Sequence, residues 1–363
     1  MISIITMSSA CNYGALLQSY ALLKYLKNNN LNVQIIDYRP YYVTQEYDGL
    51  IYFTSGKINV KKSLNNIISF VPRKIKKSKF IKFIRENITM TSKQYHNYEE
   101  LKNNPPISDY YVAGSDQIWN SDLSFGIDPA FFLDFVQSGK KLSYASSMGH
   151  AQIPIEEQRY FNQYLSSFDA VSVRENTAKK SLEAIGLENI EQTMDPAFLL
   201  SKEEYMKIAV WPKYGNYLFV YSLGYNKTID LLASRIAKKL NLRIVSIAGF
   251  RNKYCSDYRI RFAGPKEFLG YLAKASYVIT DSFHGTVFSL IFHRNFSTVI
   301  RIAKRGTRIE SLLSVAGLYD RIATGVNNDV EHLLKPIDYS QVNILLKKQI
   351  DNSKLFLHKN ISL

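Results

Sequence analysis

Short apolar runs alternate with stretches of helical periodicity along this chain, and that alternation confines it to parallel sheets flanked by helices. Ile2-Ser3-Ile4-Ile5-Thr6 has the pattern of a buried strand, Ala15 to Leu26 that of an amphipathic helix, and Val33 to Tyr38 that of a second strand. The opening is therefore a βαβ unit, with ligand-binding loops expected at the carboxyl ends of its strands. The connecting loop, Ser8-Ser9-Ala10-Cys11-Asn12-Tyr13-Gly14, lacks GxGxxG, so a dinucleotide is not indicated. Asn12 and Tyr13 either contact a sugar or shape the turn.

Around Met194-Asp195-Pro196 and Trp211-Pro212-Lys213-Tyr214-Gly215 the periodicity lapses into turn residues, which predicts a linker. A second alternation follows. Tyr217 to Leu223, Arg243 to Ile247 and Phe296 to Ile300 read as strands; Ile229 to Leu240 and Pro265 to Ala273 read as helices. With 363 residues, 46% of them hydrophobic, the chain suffices for two Rossmann-like domains. They are expected at 1–200 and 215–335, with a terminal helix in 340–363, centred on Leu345 to Leu357, returning to the first.

One stretch of the second domain concentrates the chemistry. Tyr277-Val278-Ile279-Thr280-Asp281-Ser282-Phe283-His284-Gly285-Thr286 reads as strand, turn and helix start, with Asp281 or Ser282 as the cap and Gly285 allowing a tight turn. Free N–H groups at a helix start attract an anion, and the hydroxyls of Ser282 and Thr286 can donate to it. His284 is then either a proton donor or anion holder, or a core histidine. Beyond the next strand, Lys304-Arg305-Gly306-Thr307-Arg308 is a basic loop expected on the same ligand-facing side.

In the first domain, Asp109 to Asn120 reads as a strand ending in a Gly114-Ser115-Asp116 turn. Asp116 there either accepts a proton from a substrate hydroxyl or caps the next helix. Leu142 to Gly149 and Ala170 to Glu175 are further strand-to-loop junctions. Arg174 is a fork suited to carboxylate or phosphate, unless Glu175 holds it in a structural pair.

A net charge of +15 suggests acidic substrates, an anionic membrane surface or nucleic acid. From Lys57 to Arg85 every charged residue is basic, and apolar residues are interleaved, broken near Pro72. That is the composition of a segment resting on anionic lipid, or of a solvated helix face. No nucleic-acid-binding module is recognisable, so nucleic acid is not expected. Two distant cysteines and no Cys/His cluster argue against a disulfide framework and structural zinc. Without a leader pattern or a membrane-length apolar run, a cytoplasmic protein is expected, with peripheral contact at the inner face of the membrane.

These motifs together resemble the polysaccharide pyruvyl transferases. The resemblance runs over Asn12-Tyr13-Gly14-Ala15 with Gln18-Ser19-Tyr20-Ala21-Leu22, Gly114-Ser115-Asp116-Gln117-Ile118-Trp119-Asn120, Ser172-Val173-Arg174-Glu175, Asp195-Pro196, and Asp281 to Thr286 with Phe288-Ser289-Leu290. It implies a fold similar to two-domain GT-B glycosyltransferases, with the active site in the interdomain cleft, the acceptor on the first domain and phosphoenolpyruvate on the second. It implies transfer of pyruvate from phosphoenolpyruvate onto two hydroxyls of a sugar, in a bacterial surface or capsular polysaccharide precursor, as a cyclic ketal. The arginine of SxRE, the histidine of SFHG and a later lysine, implicated in the family's active site, fall on Arg174, His284 and Lys304. Arg294-Asn295-Phe296 departs from the family's proline before phenylalanine, so the choice among Lys304, Arg305 and Arg308 stays open.

Ketal formation needs an acid, a base and anion holders. His284 can supply a proton or hold phosphate, Arg174, Lys304 and Arg305 can hold phosphate and carboxylate, and Asp116 can take a hydroxyl proton. Asn12, Tyr13, Ser115, Ser282, Gly285 and Thr286 complete the expected substrate contacts. No cofactor or metal is required by this inventory, and there is no DxD or HExxH. Phosphoenolpyruvate serves as donor substrate, and the glycan acceptor is expected to be carried on a lipid diphosphate. The rivals are a GT-B glycosyltransferase using a nucleotide sugar and a non-catalytic glycan- or anion-binding protein.

Overall fold

In the computed structural model, residues 1–48, 53–54, 57–60, 63–64, 70–247, 254–300, 306–323 and 330–361 are described. They fall into two units, Met1–Lys77 with Ile81–Leu199 and Gln349–Leu363, and Leu200–Lys348 with Ser78–Phe80. Among the described residues no helix is long and apolar enough to cross a membrane.

The first unit is built on seven parallel strands: β1 (Ile2–Ile5), β2 (Val33–Tyr38), β5 (Met90–Tyr95), β6 (Tyr110–Ala113), β7 (Lys140–Ser146), β8 (Ala170–Val173) and β9 (Ile190–Gln192). A small antiparallel pair, β3 (Phe53–Thr54) and β4 (Lys57–Ile58), stands apart. The spatial order β5-β2-β1-β6-β7-β8-β9 means that the chain winds one way from β1 and then the other way from β6. The carboxyl ends of β1 and β6 thus flank a topological switch point, where open parallel sheets leave a crevice for ligands. Ile4, Ile5, Val112 and Ala113 are sealed in the middle of this sheet, as continuous apolar runs in parallel strands require.

The second unit repeats the logic with β10 (Tyr217–Tyr221), β11 (Arg243–Ile247), β12 (Tyr258–Ile260), β13 (Tyr277–Thr280), β14 (Asn295–Val299) and β15 (Ile322–Ala323) in the parallel order β12-β11-β10-β13-β14-β15. Its switch point lies between β10 and β13. Leu218, Val220 and Ile279 form its core with Ile229 and Ile236 of the helix Lys227–Leu240.

Several boundaries differ from the periodicity. The stretch 201–214, expected as a linker, belongs to the second unit. It carries the helix Lys202–Ile208, started by a Ser201/Glu204 capping box and anchored by Tyr205, which packs edge-on to Phe288 at 5.1 Å. Pro72 does not break the basic segment: it sits in the first turn of the helix Phe70–Asn87, where its missing N–H has no partner to lose. The terminal helix is longer than expected, Tyr339–Asn360, and only its part from Gln349 onward belongs to the first unit. There Ser353 Oγ accepts from Met194 N at 2.8 Å, and Phe356 packs on Tyr144. Gly270 shows why one helical glycine is needed: a Cβ there would stand 2.0 Å from the Val210 carbonyl oxygen.

Candidate active site

In the first unit the loops after β1, β6, β7 and β8 are knotted by polar contacts at the carboxyl ends of their strands. Asn12 caps the helix Tyr13–Asn28, its Oδ1 accepting from Gly14 N at 2.9 Å and Ala15 N at 3.3 Å. Asn12 is exposed, whereas Tyr13 is buried with Lys76 Nζ 4.6 Å from its ring centroid, so the tyrosine is spent on packing rather than offered to a ligand. Gln18, part of the motif that follows Asn12-Tyr13-Gly14-Ala15, donates to Thr6 Oγ1 at 3.0 Å, and Thr6 Oγ1 donates to the Ser115 carbonyl at 2.8 Å. That chain fixes the distance between the β1 and β6 loops across the switch point.

Asp116 sits in that turn with φ of 79°, left-handed backbone that costs a non-glycine residue on the order of 1 kcal/mol or more. Its own Oδ1 accepts from Gln117 N at 2.8 Å, the local bond that makes Asp tolerable there. It bridges Ser146, and its carbonyl accepts from Ser147 N at 3.0 Å. The end of β7 reaches it because the pairing with β8 shifts register between Ser143 and Ser146, where Ala145 also takes a positive φ of 51°. Behind the turn, Trp119 anchors the motif: its Nε1 donates to the Phe131 carbonyl at 3.0 Å and its ring stacks on Phe132. The Gly-Ser-Asp half of the motif therefore joins the loops at the sheet's carboxyl end, and the Ile-Trp half serves the core.

Arg174 corrects an expectation. Its guanidinium, 3% exposed, donates from Nε to Glu175 at 3.0 Å and from NH1 to Asp195 at 2.8 Å, with the Ser115 hydroxyl at 3.5 Å. Burial alone would lower its pKa; the Glu175, Asp195 and Asp116 carboxylates outweigh that and raise it, so it stays charged throughout the accessible range. With two carboxylates matched to its Nε and NH1, Arg174 ties the β8 loop to the Asp195-Pro196 turn and to Ser115, and Glu175 belongs to that structural pairing. Ser115, expected as a substrate contact, is fully buried beneath it.

One polar residue of this cluster, His150, escaped the sequence reading. Gly149, at φ of 70°, holds left-handed backbone that favours glycine, and a Cβ there would displace the ends of the Gln117 and Asn120 side chains, 2.3 and 2.5 Å away. The next residue, His150, places Nε2 2.9 Å from Asn120 Oδ1 and 3.4 Å from Asp122 Oδ2. Its only sequence signal was its position, just beyond a glycine at a strand-to-loop junction.

In the second unit Ser282, not Asp281, caps the helix Phe283–Ile291, accepting from Gly285 N at 3.4 Å. Asp281 instead spans the switch point, taking the Ser222 hydroxyl at 2.8 Å and Leu223 N at 2.9 Å from the end of β10. Burial, and then the Asp281 carboxylate, push the Tyr221 phenol up. His284 is the second residue of the helix, 7% exposed, with its ring edge-on to Phe283 at 5.2 Å. Arg308, in the helix Thr307–Val315, lies over the Phe283 ring at 5.9 Å. Two expectations change here. Gly285 has no positive φ; it is needed because a Cβ would stand 2.3 Å from Thr280 Oγ1, so it sets how closely the helix approaches β13. Thr286 is fully buried, with its hydroxyl between the Ser282 carbonyl at 3.2 Å and Thr298 Oγ1 at 3.1 Å, so it fastens the helix to β14 instead of meeting a ligand. Lys304 and Arg305 lie outside the described residues. Among the described residues no three His, Cys, Asp or Glu side chains are grouped to hold a metal ion.

A model of the family described as polysaccharide pyruvyl transferase matches residues 12–300, which takes in both clusters. No curated protein matches the sequence. Among solved structures, the chain is similar to a Listeria monocytogenes protein assigned as UDP-N-acetylglucosamine 2-epimerase, at 12% identity over 97% of this chain and 89% of that one, with a TM-score of 0.50. It is also similar to the UDP-N-acetylglucosamine 2-epimerase of Rickettsia bellii, at 14% identity over 99% and 98% with a TM-score of 0.48. The heptosyltransferase WaaC of E. coli with ADP aligns at 11% identity over 96% and 100% with a TM-score of 0.42. At 12% identity the first of these likenesses is one of fold alone, the GT-B fold of two Rossmann-like domains.

Proposed function

The chain belongs to the polysaccharide pyruvyl transferase family, and on that premise we propose that it moves pyruvate from phosphoenolpyruvate onto two hydroxyls of a sugar in a bacterial surface or capsular polysaccharide precursor, releasing phosphate. The observation that carries the reading, beyond the family, is that each sheet gathers its polar residues at its own switch point. In the second unit a Ser282-capped helix start presents His284, the arrangement that suits a phosphorylated anion and a proton donor. In the first unit Asp116 is held in a strained turn where a sugar hydroxyl can give up its proton. Lys304 and Arg305, which follow β14 in sequence, are proposed as further holders of the donor's phosphate and carboxylate.

The test is direct. Phosphate release from phosphoenolpyruvate that depends on a glycan acceptor, with a new carboxylated ketal in the product, is the expected result. Release of nucleotide from a nucleotide sugar, with phosphoenolpyruvate inert, would instead establish the glycosyltransferase rival.

We also place the acceptor at an anionic membrane, carried on a lipid diphosphate. In the helix Phe70–Asn87, Phe80 and Phe83 are buried, whereas Phe70, Val71, Ile75 and Ile81 are exposed beside exposed Lys74, Lys82 and Arg85. At 100° per residue these seven fall within an arc of about 140°, so one face is both apolar and basic. Each basic residue near anionic lipid contributes about 1 kcal/mol, enough together for attachment that salt reverses. Lys74→Gln, Lys82→Gln and Arg85→Gln combined should abolish sedimentation with phosphatidylglycerol vesicles while leaving turnover of a lipid-free acceptor nearly unchanged. A wild-type protein that ignores such vesicles at low salt would return this face to plain solvation.

A further inference from the structure

Making a cyclic ketal removes two hydroxyl protons, and the inventory above supplies one acceptor for them. We infer that His150 is the second, a catalytic base that takes the proton of one acceptor hydroxyl while Asp116 takes that of the other; the inference rests on the pyruvyl-transfer reading.

The hydrogen bonds around His150 fix which nitrogen can act. Asn120 Oδ1 accepts from Asp122 N at 3.1 Å, and its Nδ2 donates to Gln117 Oε1 at 3.0 Å, so the amide is oriented with its oxygen toward the imidazole. That oxygen and the Asp122 carboxylate, 2.9 and 3.4 Å from Nε2, accept and do not donate. Nε2 therefore carries the hydrogen, and Nδ1 is left with its lone pair. The His150 side chain is 27% exposed, so the imidazole is within reach of a ligand, and Asp122 is the carboxylate beside its Nε2. The same seam holds Asp116: Ser147 N donates to its carbonyl, Trp119 N donates to the Ser147 carbonyl at 3.2 Å, and Gly149 N donates to Ser147 Oγ at 3.2 Å. Asp116 and His150 thus stand on adjoining loops at the ends of β6 and β7, on the ligand-facing side of one sheet.

The atoms balance. The methylene carbon of phosphoenolpyruvate gains a proton and becomes methyl; the first hydroxyl oxygen bonds the cationic carbon beside it and loses its proton to one base. The bond from that carbon to the phosphate oxygen breaks, phosphate leaving with the electron pair. The second hydroxyl oxygen then closes the ring and loses its proton to the other base. Of the two protons removed, one replaces that given to the methyl carbon and the other leaves on hydrogen phosphate.

His150→Gln and His150→Ala should keep the wild-type melting temperature and the KM for phosphoenolpyruvate while kcat falls about a hundredfold, the range for loss of one general base. Free imidazole should restore turnover to His150→Ala, and Asp122→Asn, which leaves the imidazole in place, should cost less than either His150 variant. Turnover within a few-fold of wild type in His150→Gln, or a loss in His150→Ala that imidazole does not relieve, would overturn the assignment while wild-type phosphate release leaves the parent reading standing. A wild-type protein that releases no phosphate from phosphoenolpyruvate with any acceptor would overturn both.

Discussion

His284→Ala is expected to fold normally and to release phosphate at least about a hundredfold more slowly than wild type, the usual consequence of removing a group that donates a proton in the transition state. Normal folding follows from position. His284 lies in the first turn of its helix, where Ser282 supplies the cap and Gly285, Thr286 and Ser289 supply the fastening to neighbouring backbone and strand. Alanine is moreover the best helix former. Single-turnover phosphate release beside a thermal melt checks this. An intact melt with full turnover would reduce His284 to a packing residue; a collapsed melt would make the imidazole part of the second unit's core.

Arg174→Met is expected to destabilise the first unit by about 3–5 kcal/mol, because it leaves Glu175 and Asp195 buried without the cation that matches them. Arg174→Lys should recover only part of the loss, since an ammonium cannot reproduce two forked contacts in different directions. A urea titration of the first unit's transition gives the number. An arginine whose chief business was a substrate anion would behave otherwise, with stability untouched and the apparent KM for phosphoenolpyruvate raised. Activity should also fall in Arg174→Met, through Ser115 and the Asp116 turn that it braces, so the melt and not the rate discriminates the two roles.

The sheets were legible because buried parallel strands are short unbroken apolar runs, and such runs mean much the same in any context. Ownership of the segments between was not. Residues 201–214 look like a linker until Tyr205 is seen wedged on Phe288, a contact across more than 80 positions that no local pattern reports. The site was half legible for the same reason. Ser282 to Thr286 announces a helix start, but the sequence cannot tell a hydroxyl that faces outward from one that faces β14, and Thr286 faces β14. Nor can it tell that Arg174 meets Asp195, 21 residues on, as well as its neighbour Glu175. His150 is the extreme case. Its tautomer depends on the Asn120 amide 30 positions earlier, and its place depends on the register shift that turns the end of β7.

The segment from Gln349 onward has a bearing on how the protein is made. Ser353, Phe356, Leu357 and Ile361 are buried in the first unit, Tyr25 bonds His358 at 3.1 Å, and Ser353 receives the Met194 amide. A ribosome delivers residues 1–199 well before this segment, so the nascent first unit must wait, with the Tyr144 ring and the Met194 amide uncovered, while the residues of the second unit are synthesised. Domains commonly fold in the order in which they emerge. Here the order of completion is inverted: the second unit's last residue, Lys348, is made before the first unit has its closing segment, Gln349–Leu363.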